Sequence, residues 1–293
     1  MRNQTTLARS VQTSGVGLHT GSPVTITLMP APAYTGYLFR RTDLSNFEIL
    51  AQAQNVAHVS YATTLMHKGV MIATVEHLLA ALAGAGVDNA FIDIDSLEVP
   101  IMDGSAEPFV DLIKEAGIVE LTEPRQALRV TRRVEIKESN KRISISPADR
   151  LYIDCLIDFP HPVIGVQRFQ LAVTERTFVK EIAPARTFGF LREVEMLRSN
   201  GLIRGGSMES AVVMDDDRVL NREGLRFPDE FVRHKILDII GDLSLFGMPV
   251  LGRIEAERTG HALHTALVAK LLRDRTAWKI VTLSEECAAG SQL

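Results

Sequence analysis

Apolar and polar positions alternate in short runs over the first fifty residues of this chain. Val24-Thr25-Ile26-Thr27-Leu28 and Tyr37-Leu38-Phe39, bounded by Gly and Pro, predict antiparallel strands. The period then changes. In TVEHLLAALAGAG the residues Leu78, Leu79 and Leu82 make one apolar face, and Thr74 stands where an N-cap belongs. Gly84 and Gly86 end the run, so the pattern predicts a helix. Ala90–Ile94 reads as a strand, and residues 105–116 as a second helix stopped by Gly117.

The segment LTEPRQALRV is polar and carries a Pro, and alternating patterns restart after it. This places a domain boundary near residue 125, giving a first domain over 1–125 and a second over 126–293. Strands are predicted at residues 142–146, Leu151–Phe159, 211–214, Val250–Glu257 and 278–283. Helices are predicted at residues 175–182, 192–199, 229–246 and His261–Arg273. The order repeats: in each half come strands, a long helix ending in Gly (Gly84, Gly247), a strand, then another helix. The expected fold is α+β, two similar two-layer sandwich domains packed face to face with a site in the cleft between them.

Composition narrows the function classes. Of 293 residues 46% are hydrophobic and 23% charged, the balance of a globular protein, and the formal net charge is −4. No global positive field draws nucleic acid or an anionic membrane, so neither is expected as a partner. Arg132-Arg133 and Lys141-Arg142 are either solvated strand ends or a local phosphate holder. Two cysteines, Cys155 and Cys287, lie far apart, which is neither a disulfide framework nor a Cys-based metal site. MRNQTTLARSVQTSGVGLHTG has no apolar leader, and no stretch is long enough to span a bilayer. A cytoplasmic, monomeric protein is expected.

Four groups of residues could carry chemistry. In HKILDIIGDL, His234, Asp238 and Asp242 are spaced i, i+4, i+8 along one helical stripe, while Ile236, Leu237, Ile239, Ile240 and Leu243 fill the rest. So much charge beside a core demands partners. A metal ion would answer that demand; the alternative is a surface stripe of Asp–His pairs. His77 could supply a third ligand, leaving a position open for water as in catalytic zinc sites. Glu76, turned about 100° away on the same helix, could then take a proton from that water; a plain helix flank is the other reading. In RTGHALH, His261 follows Gly260 at a strand-to-helix junction, where an imidazole can act as a general acid; a His261–His264 metal pair competes. His19, His58, His67 and His161 sit in loop-like contexts. In ARTFGF, Thr187 offers a hydroxyl to a developing oxyanion, and Phe188, Phe190, Leu191, Val194 and Leu197 could line a groove or simply pack a core.

Taken together, TVEHLLAALAG, IMDGSAEPF, ARTFGF, GGS, VLNREGLRFPDEFVRHKILDIIGDL and TGHAL resemble one family in the same order. It is the UDP-3-O-acyl-N-acetylglucosamine deacetylases, zinc amidases of lipid A synthesis in Gram-negative bacteria. The resemblance runs from about residue 2 to beyond residue 280. It implies two α+β domains and a zinc ion on His77, His234 and Asp238. It further implies Glu76 as general base and His261 as general acid or electrostatic stabiliser oriented by Asp242. Thr187 would hold the oxyanion and Lys235 would touch substrate beside the metal. Asp158, Phe159 and Arg258 fall at the nucleotide and phosphate contacts. Residues 188–214 match an insert that forms a passage for the acyl chain, with Leu191, Val194, Leu197, Ile203, Ser207, Met208, Ala211 and Val213 as tail contacts. Arg258 stands where the family pattern has Lys, which keeps the charge and changes its geometry. His264 stands where Asn is usual.

Overall fold

In a computed structural model, which describes residues 2–283, the alternating runs become strands with one face inward. In Pro23–Pro30, Val24, Ile26 and Leu28 are buried while their neighbours are not. In Leu151–Phe159 the buried set is Ile153, Cys155 and Ile157. Period-two burial of this kind follows from the pleat. Cys287 lies outside the described residues.

A five-stranded sheet of the first half has the order Val11–Val16, Pro23–Pro30, Ala90–Ile94, Tyr37–Arg41, Phe47–Leu50. Every step is antiparallel except the parallel pairing of Tyr37–Arg41 with Ala90–Ile94. The second half repeats this path as Val134–Glu138, Lys141–Ser146, Val250–Glu257, Leu151–Phe159, Gly165–Ala172. Its single parallel step again joins the third strand in space to the fourth. Each half is also closed by an antiparallel pair of its first and last strands. Asn3–Leu7 lies against Ile118–Pro124, and Gln126–Val130 against Trp278–Thr282. Gln126–Val130 also touches the start of Val250–Glu257, which extends the second sheet to seven strands.

The helices follow the same repeat. α1 (Glu76–Gly84) precedes and α2 (Glu107–Ala116) follows the third strand of the first sheet. After the one-turn α3 (Glu175–Thr177) and α4 (Leu191–Ser199), α5 (Glu230–Leu243) precedes and α6 (His261–Arg273) follows the third strand of the second sheet. The chain is thus an α+β protein of two similar domains. Buried apolar side chains of both halves form one continuous core. An insert precedes each long helix. In the first half it is a small sheet of Val56–His58, Thr64–His67 and Val70–Ile72. In the second it is the parallel pair Phe188–Phe190 and Val212–Met214, with α4 between them.

Gly241 sets how closely the halves meet. A Cβ there would lie 2.2 Å from the backbone oxygen of Glu76, so α5 and α1 touch main chain to main chain. Nearly all of α5 is buried, because α1, α6 and the second sheet cover it on different sides.

Several element ends differ from expectation. Thr74 does not cap α1: it has φ +58°, and its hydroxyl donates to Glu98 Oε1 at 2.9 Å, so the helix starts at Glu76 without a side-chain cap. The helix predicted from residue 105 starts at Glu107, because Ser105 bonds Asp103. Residues 175–182 form one α turn and then a wide π turn over Phe178–Ile182, whose Phe178 ring fills the space beside Gly84. α5 ends at Leu243 and continues as a 3-10 turn to Phe246 before Gly247. No helix among the described residues is long and apolar enough to cross a membrane.

Candidate metal centre and active site

The junction of α1 and α5 brings His77, His234 and Asp238 together, all buried, with one ligand atom of each within 4.8 Å of the others. His234 Nε2 stands 3.4 Å from Asp238 Oδ1 and His77 Nε2 stands 3.8 Å from it. Ligands at about 2.0–2.1 Å around a tetrahedral ion are separated by roughly 3.3 Å, so the three residues fit a zinc-sized ion. The donor chemistry fits as well. His234 donates from Nδ1 to Ala185 O at 3.0 Å, which leaves Nε2 with a free lone pair. Burial, with His234 close by, lowers His77 to about 3, and burial lowers His234, so both imidazoles are neutral. Lys235 Nζ donates to Asp238 Oδ2 at 2.9 Å and leaves Oδ1 to the imidazoles. Burial alone would raise the Asp238 carboxyl, but Lys235 and the charged His261 hold it far below the usual range.

A second cluster adjoins the first. Asp242 Oδ2 accepts from His261 Nδ1 at 2.8 Å and from His264 Nδ1 at 2.9 Å, and its Oδ1 accepts from Thr63 Oγ1 at 2.6 Å. These are hydrogen-bond lengths, and they account for His261 and His264 without a metal between them. Thr259 Oγ1 donates to His264 Nε2 at 2.9 Å, so the buried His264 is neutral and satisfied. His261 is the opposite case. Burial works against its charge, but the Asp242 carboxylate and Glu76 lift it to about 10. Its Nε2 faces Glu76 Oε1 at 3.7 Å, while Glu76 Oε2 accepts from Thr63 N at 3.0 Å. Burial raises Glu76 to about 7, against the pull of His261. Two titrating groups side by side with their pKa values pushed apart are the arrangement acid–base chemistry needs.

The other residues singled out by sequence fall around this centre to differing degrees. Phe188 lies edge-on to His234 at 6.4 Å between ring centroids, and Lys235 Nζ sits 5.4 Å from the same ring. Phe159 joins Phe188 and Phe190 in an aromatic cluster. Thr187 is fixed through its backbone, donating to Gly104 O and accepting from Val212 N. Arg258 pairs with Asp158 at 2.8 Å, so those two bond each other at a strand end. Of the insert, Leu197 and Val213 are buried, Leu191, Val194, Ile203 and Ala211 half-buried, and Ser207 and Met208 exposed. The basic doublets are solvated strand ends: Arg132 pairs with Asp274, Arg133 with Glu135 and Glu255, and Arg142 with Glu257. His161 bridges a loop to the insert, accepting from Val163 N and donating to Asp215 O.

Sequence reasoning missed Thr63, which bonds both Glu76 and Asp242 from a loop with no periodic signal. It also missed Glu98, wholly buried, whose carboxylate takes bonds from His19 N, Thr20 N and the Thr74 hydroxyl just before α1. A lone acidic residue inside the apolar run LEVPI was the available clue.

Residues 4–273 match the family model described as UDP-3-O-acyl N-acetylglycosamine deacetylase. A protein of Myxococcus xanthus named UDP-3-O-acyl-N-acetylglucosamine deacetylase is 52% identical over 280 residues, covering 95% of this chain and 89% of that one. One of the same name from Solibacter usitatus is 48% identical over 100% of this chain and 99% of its own length. A third, from Thioalkalivibrio sulfidiphilus, is 47% identical over 98% and 95%.

Proposed function

This chain belongs to the UDP-3-O-acyl-N-acetylglucosamine deacetylase family, and from that premise we propose that its catalytic centre is a zinc ion on His77, His234 and Asp238, served by Glu76 and His261. The activity is hydrolysis of the N-acetyl group of a UDP-linked, 3-O-acylated N-acetylglucosamine, the deacetylation step of lipid A biosynthesis. The carrying observation is the meeting of three metal-competent atoms from two helices within 4.8 Å. In this reading the first domain, residues 1–125, supplies Glu76 and His77, and the second, residues 126–293, supplies the rest.

A bound zinc would supply a Lewis acid for the amide carbonyl and lower the pKa of water to roughly 7. The side chains do the remainder. Glu76, fixed at Oε2 by the Thr63 N–H, keeps Oε1 free to take the proton of the attacking water, and a pKa near neutrality suits that role. The water oxygen bonds the carbonyl carbon, and the Thr187 hydroxyl donates to the oxygen that gains charge. The C–N bond then breaks as His261 delivers its Nε2 proton to nitrogen, so a neutral amine and acetic acid leave, and the acid gives up its remaining proton to become acetate. Asp242 keeps His261 charged and aimed by holding Nδ1. Lys235 contacts the sugar beside the metal. Asp158, Phe159 and Arg258 meet the nucleotide. Phe188, Phe190 and the insert residues Leu191, Val194, Leu197, Ile203, Ser207, Met208, Ala211 and Val213 receive the acyl chain. We further propose that the enzyme works as a cytoplasmic monomer, since one chain supplies every group of the centre.

The experiment measures bound zinc and turnover together. Glu76→Ala and His261→Ala are expected to keep zinc and lose most turnover; loss of zinc in Glu76→Ala would show that ligand and base have been exchanged. A UDP-sugar lacking the 3-O-acyl chain is expected to react far more slowly, and equal rates would contradict the passage.

A further inference from the structure

The peptide unit joining Ala185 to Arg186 is held at both ends by one helix. Its carbonyl oxygen accepts from His234 Nδ1 at 3.0 Å, and its N–H, on Arg186, donates to Glu230 Oε1 at 3.0 Å. Glu230 and His234 are one turn apart on α5, so both grips come from the same face. Because the peptide is planar, fixing its N–H fixes the direction of its oxygen.

Glu230 has no exposed surface, and Arg186 is 3% exposed. Every acceptor position of the Glu230 carboxylate is in use. Oε1 also takes Arg186 Nε at 2.8 Å, while Oε2 takes Arg226 N at 2.6 Å and Arg186 Nη2 at 3.2 Å. The guanidinium is completed by Glu223 Oε1 and Gly224 O. A wholly buried ion pair is weak evidence for stability, because desolvation offsets most of its attraction. Its placement gives it another use.

We propose that Glu230, with Arg186, is a positioning pair for the metal ligand His234: it locks the Ala185–Arg186 peptide so that the Ala185 oxygen fixes the tautomer and ring direction of His234. The same lock holds the segment that runs through Thr187 into the strand Phe188–Phe190, and the Thr187 N–H is bonded to Gly104 O. The inference rests on the zinc reading, because His234 needs its direction only if Nε2 is a ligand. Partners that orient a ligating imidazole are commonly worth ~10–100-fold in metal affinity.

The test is zinc affinity by competition with a chelator, read on wild type, Glu230→Gln, Arg186→Lys and the remote control Arg125→Lys. Glu230→Gln keeps the shape but turns an N–H donor toward Arg226 N–H and the guanidinium. Zinc affinity is expected to fall ~10-fold, with folded metal-free protein retained. Arg186→Lys keeps the backbone N–H but loses the fork, and is expected to move affinity the same way by less. If Glu230→Gln does not fold, Arg186→Lys decides. Arg125→Lys disturbs a buried pair with Asp88 that shares no hydrogen bond with the centre, and is expected to lower melting temperature without changing zinc affinity. Wild-type affinity in every folded variant of the pair would overturn the inference, as would an equal loss in Arg125→Lys. Failure of wild type itself to bind zinc would instead overturn the zinc reading.

Discussion

Helices α1 and α5 occupy the same place in the two halves, each following an insert and each leading into the third strand of its five-strand path, which pairs in parallel with the fourth. Their loads differ. α1 brings ionisable groups to the proposed centre only in its first turn, at Glu76 and His77, and is otherwise Leu, Ala and Gly. α5 carries Glu230, His234, Asp238 and Asp242 over its whole length. The helices that follow differ in the same sense: α2 brings no group to the centre, whereas α6 opens on His261 and places His264 behind it. A repeated frame therefore supplies two helices that meet, and the proposed centre comes from loading them unequally at the contact. At Gly241 the two backbones leave no room for a side chain.

The largest effect is expected at the first turn of α1. Glu76→Ala is expected to lower kcat by ~10³-fold, within the range of a lost general base, while zinc content stays at the wild-type level. Steady-state kinetics with metal analysis checks both. His261→Ala, on the other half's helix, is expected to cost ~10²-fold with zinc again retained. A greater loss from His261 than from Glu76 would reverse the division of labour between the halves.

The contact itself comes next. Gly241→Ala puts a methyl against the Glu76 backbone oxygen, which cannot step aside, and is expected to destabilise by about 2–3 kcal/mol, weakening zinc binding with it. Gly84→Ala in α1 puts a methyl against the rigid, fully buried Phe178 ring and is expected to destabilise by a similar amount, but with zinc affinity preserved because it leaves the Gly241 contact intact. Denaturant melts with zinc titrations compare the two variants directly; an equal loss of zinc affinity in Gly84→Ala would mean that the contact at Gly241 is not what holds the metal ligands together. The smallest effect is expected at the surface. Arg132→Ala removes an exposed ion pair with Asp274, and should change stability by less than about 1 kcal/mol. Unchanged kcat/KM would accord with its place as a strand end, and a raised KM would restore it as a phosphate holder.

Much of this frame was legible along the chain because strands, glycine stops and helical stripes are local. Val24, Ile26 and Leu28 alternate, and Gly117 and Gly247 end what precedes them, so element kind and repeat order could be read. The pairing order could not, since nothing in Leu151–Phe159 states that it runs parallel to Val250–Glu257. His234, Asp238 and Asp242 stood out because one helix fixes their spacing. That His77 meets the first two and His261 the third is a fact of packing between helices far apart in sequence. Thr63 and Arg186 were silent for the same reason: each acts through bonds to a residue on another element. Thr74 misled because a threonine before a helix signals a cap only when its hydroxyl is not taken elsewhere, and Glu98 takes it.

The most direct test of the central claim is zinc K-edge X-ray absorption on the purified enzyme. The account predicts one zinc per chain with two imidazole nitrogens and oxygen at about 2.0–2.1 Å, and a spectrum that loses one imidazole in His77→Ala. A centre with sulfur ligands, or one unchanged by that substitution, would contradict it.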